Sequence, residues 1–233
     1  KSEPKVLDSS SNNNDGTPNA VTKAPTEQID GADSFDGGTS YINVPTAASL
    51  NFGTDSFSYS LWFYSKATTT QDVLDKKGGT ADNTYAGYKM VISSVEATGF
   101  STVLGDGTNN VRLNTGSDSR RGGNVWAMFT VVVDRTAPTM TVYMDGAYKV
   151  SAGISTVGSV TNTNPLRLGS QTPSGSRYFN GYLDEVRISN VARSAAWIKA
   201  SYNSEKNTLL SYGGEELSPG PPAFSNIATN TTH

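Results

Sequence analysis

Asp72 and Asp75, in the stretch QDVLDKK, are the two side chains whose spacing comes nearest to a catalytic pair. Hydrolysis of a glycosidic bond needs two carboxyl groups that flank the bond. Lys76 and Lys77 follow at once, and this pattern is more typical of a charged loop or strand end. The chain has one histidine, His233, and no cysteine, so triads, metal sites and bases built on histidine are excluded from the fold, as are cysteine nucleophiles. We therefore predict that the protein is not an enzyme.

Polar loops that carry tyrosines are better candidates, and their chemistry would be binding. Tyr85 and Tyr88 lie in DNTYAGYK, Asp106 and Asn109 in GDGTNN, and Tyr178 in SGSRYFNG. A tyrosine ring can cover the apolar face of a sugar, while Asp and Asn form hydrogen bonds with its hydroxyl groups. Loops at one rim of a β-sandwich commonly form a binding site. These five residues are the predicted carbohydrate-binding residues, and ordinary hydrophilic turns are the alternative.

Short strands must position these loops. The segment SFSYSLWFYSK alternates, with Tyr59, Leu61 and Phe63 on one face and Trp62 on the other. VWAMFTVVVD is apolar on both faces, which predicts a strand buried on both sides. MTVYMDGAYKV places Asp-Gly between two alternating runs, a strong hairpin signal. Strands that recur about every 8 to 12 residues without intervening helices predict an all-β sandwich or barrel.

One helix is predicted near the end of the strand series. YLDEVRISN reads as a closing strand, and SAAWIKASYN follows it with a helical period. Ser194 is a suitable N-cap, and Trp197, Ile198 and Tyr202 form a narrow apolar side. We expect this helix to cover a sheet edge or an end of the sandwich.

The composition limits the partners and suggests a domain boundary. The 233 residues are 35% apolar and carry a net charge of -3 without a basic cluster, so nucleic acid is not a predicted partner. No apolar run reaches the roughly 18 residues of a membrane helix, so membrane insertion is not predicted either. The sequence changes character after Tyr212, and SPGPP is typical of a stiff linker. We predict one domain over residues 1–213 and, over residues 214–233, a linker that can lead into a following module.

Three groups of segments, in this order, resemble the laminin G-like, concanavalin A-like jelly-roll modules of bacterial and archaeal surface proteins. They are DSSSNNNDGT with SFDGGTSYINVP and FSYSLWFYSK, then NVWAMFTVVVDRTAPTMTVYMDGAYKV, then LRLGSQTPSGSRYFNGYLDEVRISNVARSAAWIKASYN. The resemblance implies two curved antiparallel sheets, an extracellular location and frequent carbohydrate binding. Glycoside hydrolases of this sandwich carry Glu-x-Asp-x-x-Glu or Glu-x-Asp-x-Glu on one strand. Here no Glu is followed by Asp two residues later.

The resemblance also implies a structural calcium ion. In laminarinase-type folds, an Asp at the start of the closing strand binds calcium together with a carbonyl from an early Asp-Gly strand. The matching positions are Asp184, Asp36 and Gly37. Calcium favours such mixtures of carboxylate and carbonyl oxygens. The alternative is that Asp184 bonds only to a loop amide or an arginine.

These observations predict an all-β, two-sheet antiparallel jelly-roll sandwich of the concanavalin A-like type, with one short C-terminal helix. The predicted function is a non-catalytic carbohydrate-binding or adhesion module of a larger extracellular protein. Its predicted partners are a glycan or polysaccharide and the neighbouring domains of the same chain. The alternative is a structural or protein-adhesion spacer that binds no sugar.

Overall fold

The regular structure of the described residues consists of fourteen strands, one α-helix and one short 3-10 helix. The computed structural model describes residues 5–29, 31–79, 84–173 and 175–206, and the predicted linker over residues 214–233 lies outside them. The strands are β1 (Thr17–Asn19), β2 (Thr22–Lys23), β3 (Asp33–Asp36), β4 (Tyr41–Val44), β5 (Phe57–Ser65), β6 (Gln71–Asp75), β7 (Ala86–Ile92), β8 (Phe100–Asp106), β9 (Asn110–Asn114), β10 (Trp126–Asp134), β11 (Thr139–Met144), β12 (Ala147–Gly153), β13 (Leu166–Leu168) and β14 (Asn180–Ser189). The α-helix is α1 (Ala195–Glu205), and a short 3-10 helix spans Ala48–Leu50.

The strands form two antiparallel sheets of seven strands each, which confirms the predicted sandwich. Sheet I has the order β1-β4-β13-β6-β7-β8-β9, and sheet II has the order β12-β11-β10-β5-β14-β3-β2. The closing strand β14 is inserted between β5 and the early strand β3. Chain segments that are far apart in sequence are therefore neighbours in both sheets.

The hydrophobic core lies between the two sheets. Tyr59, Leu61 and Phe63 of β5 point into it and are almost completely buried, as the alternation predicts. Met90 of β7 faces them from sheet I. Burial of each such large side chain stabilises the fold by about 1.5–3 kcal/mol, so this layer fixes the spacing of the sheets. We call the opposite face of each sheet, which points away from the core, its outer face.

The predicted hairpin is present between β11 and β12. Asp145 and Gly146 have φ angles of 51° and 72°, the left-handed values that a two-residue hairpin turn needs. The Asp145 carboxylate accepts a hydrogen bond from the Met128 N–H at 2.9 Å, which ties the turn to β10.

Helix α1 begins as predicted, and it covers more of sheet II than its edge. The Ser194 hydroxyl caps it by accepting a hydrogen bond from the Trp197 N–H at 3.2 Å. The helix lies on the outer face of sheet II, where the Tyr202 ring stacks on Trp62 at 5.5 Å and Glu205 accepts the Trp62 indole N–H. The helix also contacts β12, the edge strand of sheet II, and the β11–β12 turn at Gly146, so it covers a sheet edge as expected and, in addition, Trp62 on the outer face. Trp62 points away from the core, and its large apolar ring needs a cover on the outer face.

Candidate functional site at one end of the sandwich

Three of the predicted carbohydrate-binding residues meet at one end of the sandwich. Ala86 pairs with Asp106 across β7 and β8, so Tyr85 lies beside the β8–β9 loop that contains Asn109. The Tyr85 side chain is 45% exposed. The Asp106 carboxylate accepts backbone N–H groups from Thr108, Asn109 and Gly158 at 2.6–2.8 Å. Burial opposes ionisation of Asp106, but these donors outweigh it and lower its pKa to about 2. Asp106 is therefore ionised and holds two loops together.

Tyr88 is a core residue, contrary to the prediction that it contacts sugar. Its side chain is 1% exposed, its hydroxyl donates to the Leu50 carbonyl at 3.2 Å, and its ring lies 4.9 Å from that of Phe57. Burial raises the pKa of its hydroxyl. The alternation of β7 begins at Ala86, and this places Tyr88 on the inner face of sheet I.

Within the described part of the chain, no hydrogen bond or ring contact joins Tyr178 to the other predicted sugar ligands. The Tyr178 hydroxyl and Nη1 of Arg167 both lie next to Gly175. A Cβ atom built on this glycine would be 2.8 Å from the hydroxyl and 3.2 Å from Nη1. The Arg167 guanidinium in turn lies 4.3 Å above the Tyr41 ring. Tyr178 thus belongs to a patch on the outer face of sheet I, near β13 and β4.

The residues predicted to bind calcium do not form one ligand set. Asp36 pairs with Asn180, and Asp184 lies four residues further along β14, roughly 13 Å away at about 3.3 Å per residue. The Asp184 carboxylate accepts the N–H groups of Gln28 and Ile29 at 3.0 Å, which matches the loop-amide alternative.

The side chain of Asp36 stabilises the turn that follows it in sequence and contains Gly37. It accepts the N–H groups of Gly38, Thr39 and Ser40 at 2.8–2.9 Å. Within the described ranges, no group of three or more His, Cys, Asp or Glu side chains is arranged to hold a metal. The geometry of these residues does not fit a shared ion, and calcium binding stays a prediction.

The paired aspartates lie in β6, the central strand of sheet I. A bulge between Asp72 and Leu74 lets Asp72 pair with Val91 and Asp75 with Lys89, so both carboxylates point to the outer face. Both residues are completely buried there. The Asp75 carboxylate accepts three backbone N–H groups, those of Lys77, Gly78 and Thr172, at 2.8–3.0 Å. These loops cover the pair, so a substrate cannot reach it in this conformation.

Asp72 is the unusual member of the pair. Neither of its oxygens accepts a hydrogen bond from the described residues, and Nη1 of Arg177 is 4.0 Å from Oδ2. Burial and the charge of Asp75 raise its pKa to about 7, against the opposing effect of Lys89, Arg177 and Arg112. Asp72 therefore takes up a proton close to neutral pH.

An open cleft of about 600 Å³ lies at the same end of the sandwich as Tyr85, and we call it the end cleft. The 3-10 helix, the start of β5, the end of β10 and the chain after β14 form its walls. The lining residues are Ala48, Ser49, Asn51, Phe52, Asp55, Ser56, Asp134, Thr136, Asn190, Val191 and Ala192. None of these residues was predicted from the sequence, because short polar stretches at strand ends look the same whether they form turns or a site.

A hydrogen-bond network connects the end cleft to the loops beside Tyr85. Ser56 lines the cleft, and its hydroxyl accepts the Arg135 N–H at 2.9 Å. The Arg135 guanidinium donates to the carbonyl of Gly158 at 2.9 Å, and the Gly158 N–H donates to Asp106 at 2.7 Å. Asp106, Arg135 and the cleft wall are therefore held as one unit.

The two seven-stranded antiparallel sheets place the chain in the class of jelly-roll sandwiches. A family model described as the concanavalin A-like lectin/glucanases superfamily, laminin G type 3, matches residues 36–199. The match covers more than half of the chain, so the chain belongs to this family. Among the curated proteins, none matches this sequence.

Several solved structures share the fold at low sequence identity. The binding domain of Paraclostridial Mosquitocidal Protein 1 has a TM-score of 0.71 and 17% identity, over 88% of this chain and 50% of that one. The binding domain of Botulinum Neurotoxin DC in complex with SialylT has a TM-score of 0.64 and 15% identity, over 87% and 52%. The Botulinum Neurotoxin serotype G binding domain has a TM-score of 0.63 and 16% identity, over 84% and 47%. The chain spans about half the length of these structures.

The described residues contain no helix that is both long enough and apolar enough to cross a membrane.

Proposed function

We propose that the chain is a non-catalytic glycan-binding module of a larger extracellular protein, and that the end cleft holds the sugar. The observation that carries the proposal is the cleft itself. Its volume of about 600 Å³ is typical of ligand sites, and its walls combine hydroxyl, amide and carboxylate groups with Phe52 and Val191. A sugar ring needs both kinds of surface, because it has hydrogen-bonding edges and an apolar face.

Binding without cleavage is the proposed mechanism. The closely spaced carboxylates Asp72 and Asp75 lie beneath loops on the outer face of sheet I, far from a position where they could flank a bound sugar. In the end cleft, water competes for every hydrogen bond with the ligand. The affinity of one site is therefore expected to be on the order of micromolar to millimolar. Neighbouring modules of the same protein would supply the additional contacts that firm attachment needs.

A glycan array followed by titration calorimetry tests the proposal. Asp55→Ala removes a carboxylate of the cleft, and Tyr85→Ala removes an exposed ring at the same end of the sandwich. Glu96→Gln is the matched control, since Glu96 is exposed on the β7–β8 loop at the opposite end of the sandwich. We expect Asp55→Ala to weaken binding at least fivefold without changing the melting temperature. If no glycan of a broad panel binds with calcium present, the proposed function is wrong, and the alternative of a spacer module that binds no sugar takes its place.

A further inference from the structure

The charged side chains in the walls of the end cleft are all negative. They are Asp55 and Asp134, and the described residues that line the cleft include no lysine and no arginine. Arg135 follows Asp134 in sequence, but its guanidinium turns away and donates to the carbonyls of Val157 and Gly158 at 2.6 and 2.9 Å. A ligand in the cleft therefore meets two carboxylates and no cation from the walls.

Both carboxylates have oxygens available to a ligand. Oδ1 of Asp134 accepts the N–H groups of Thr136 and Ala137 at 2.8 and 3.1 Å, which fixes the orientation of the carboxylate. Its Oδ2 accepts no hydrogen bond from the part of the chain that the structure describes. Asp55 is exposed, and in the same part of the chain neither of its oxygens has a donor. Three carboxylate oxygens can thus accept hydrogen bonds from outside the protein.

The remaining walls favour a neutral, partly apolar ligand. Asn190 is exposed and offers an amide, while the neighbouring Val191 side chain is 44% exposed. Phe52 also lines the cleft, is buried and stacks on Phe57 at 4.4 Å, so it forms an apolar floor. This arrangement suits a sugar whose hydroxyl groups face the carboxylates and whose C–H face contacts the floor.

Given the proposed function, we infer that the end cleft selects uncharged or amino sugars and excludes sugars that carry a carboxylate or sulfate. Hydroxyl and ammonium groups donate to the two carboxylates, and hydrogen bonds to a charged acceptor are about twice as strong as neutral ones. An anionic sugar would instead add a third negative charge and would find no cation in the walls. Repulsion between like charges weakens with salt, so the discrimination should be greatest at low ionic strength.

The test compares sugars of matched size on the full chain. The probes are oligosaccharides that end in glucose, galactose, N-acetylglucosamine or glucosamine, and others that end in glucuronic acid or sialic acid. An array identifies the binders, and calorimetry at 20 and 200 mM NaCl measures the affinities. We expect neutral or amino termini to bind at least about tenfold more tightly than acidic termini at low salt, with a smaller ratio at high salt.

The variant Asp55→Asn locates the selectivity. It keeps the shape of the side chain and removes the charge, so it should reduce the preference over acidic sugars at least threefold with an unchanged melting temperature. Glu96→Gln, which removes a charge at the other end of the sandwich, should leave the preference as it is. Tighter binding of acidic termini, or an unchanged preference in Asp55→Asn, would overturn the inference while the proposed function stands. Absence of binding to every probe would overturn both.

Discussion

Replacement of Asp72 by asparagine tests whether a buried carboxyl group of sheet I titrates near neutral pH. Asp72 is completely buried, and its pKa is raised from 3.8 to about 7, mainly by burial and next by Asp75. Each pH unit between these values corresponds to about 1.4 kcal/mol, so the largest effect on the free energy of unfolding is about 4 kcal/mol. Lys89, Arg177 and Arg112 also face Asp72 and act in the opposite direction.

The sign follows from proton linkage. Between about pH 4 and pH 7 the folded protein keeps the proton of Asp72, whereas the unfolded chain releases it. Below about pH 4, Asp72 is protonated in both states and does not lower the free energy of unfolding. As the pH rises towards 7, the free energy of unfolding falls because of Asp72, and above that value this effect is constant. The neutral amide of Asp72→Asn does not titrate, so the variant should lack this decline.

Urea unfolding at pH 4.5, 5.5, 6.5 and 8 measures the effect. Relative to wild type, the free energy of unfolding of Asp72→Asn should rise by about 2–3 kcal/mol from pH 4.5 to pH 8. Asp75→Asn should be less stable than wild type at pH 4.5, because its amide keeps only one of the two oxygens that accept the three backbone N–H groups. Burial raises the pKa of Asp75 as well, so this deficit should shrink as the pH rises. Glu96→Gln, at an exposed position, should follow the wild type. A difference between Asp72→Asn and wild type that is the same at pH 4.5 and pH 8 would refute the assignment.

Three further predictions concern the tyrosines, the calcium ion and the helix. Tyr88→Ala should cost about 3–5 kcal/mol of stability because it empties part of the core, whereas Tyr85→Ala should stay within about 0.5 kcal/mol; equal melting temperatures for the two variants would contradict this placement. If the predicted calcium ion is bound through Asp184, calcium should raise the melting temperature of the wild type but not of Asp184→Ala. If a chelator leaves the melting temperature unchanged and elemental analysis finds no metal, Asp184 only accepts hydrogen bonds from its loop and binds no ion. Glu205→Ala should leave the Trp62 indole N–H without its partner and cost about 1–3 kcal/mol, with a shift in tryptophan fluorescence; an unchanged spectrum would argue against this contact.

The fold could be predicted from the sequence wherever a local pattern determines the structure. The alternation of Tyr59, Leu61 and Phe63 indicates the inner face of β5, and the Asp-Gly dipeptide indicates the hairpin turn. Ser194 marks the start of α1 for the same reason, since an N-cap acts within its own turn.

The candidate site could not be predicted because it depends on contacts between distant segments. The end cleft combines residues 48–56, 134–136 and 190–192, and no local pattern states that these three segments meet. The bulge in β6 likewise decides which way Asp72 points, and it depends on pairing with β7. The prediction for Tyr88 is wrong because Gly87, a turn-forming residue type, separates it from Ala86, so the sequence suggests that the loop continues where β7 has already begun.

The position of α1 over Trp62 affects where this domain can be cut for expression. The family match ends at residue 199, in the middle of α1, but Tyr202 and Glu205 contact Trp62 from the second half of the helix. A chain truncated after residue 199 would lose both residues and leave the Trp62 ring, on the central strand β5 of sheet II, facing water. Such a truncated protein would present a new apolar surface and should tend to aggregate. A recombinant domain therefore needs to extend at least to Lys206 to keep its outer face covered.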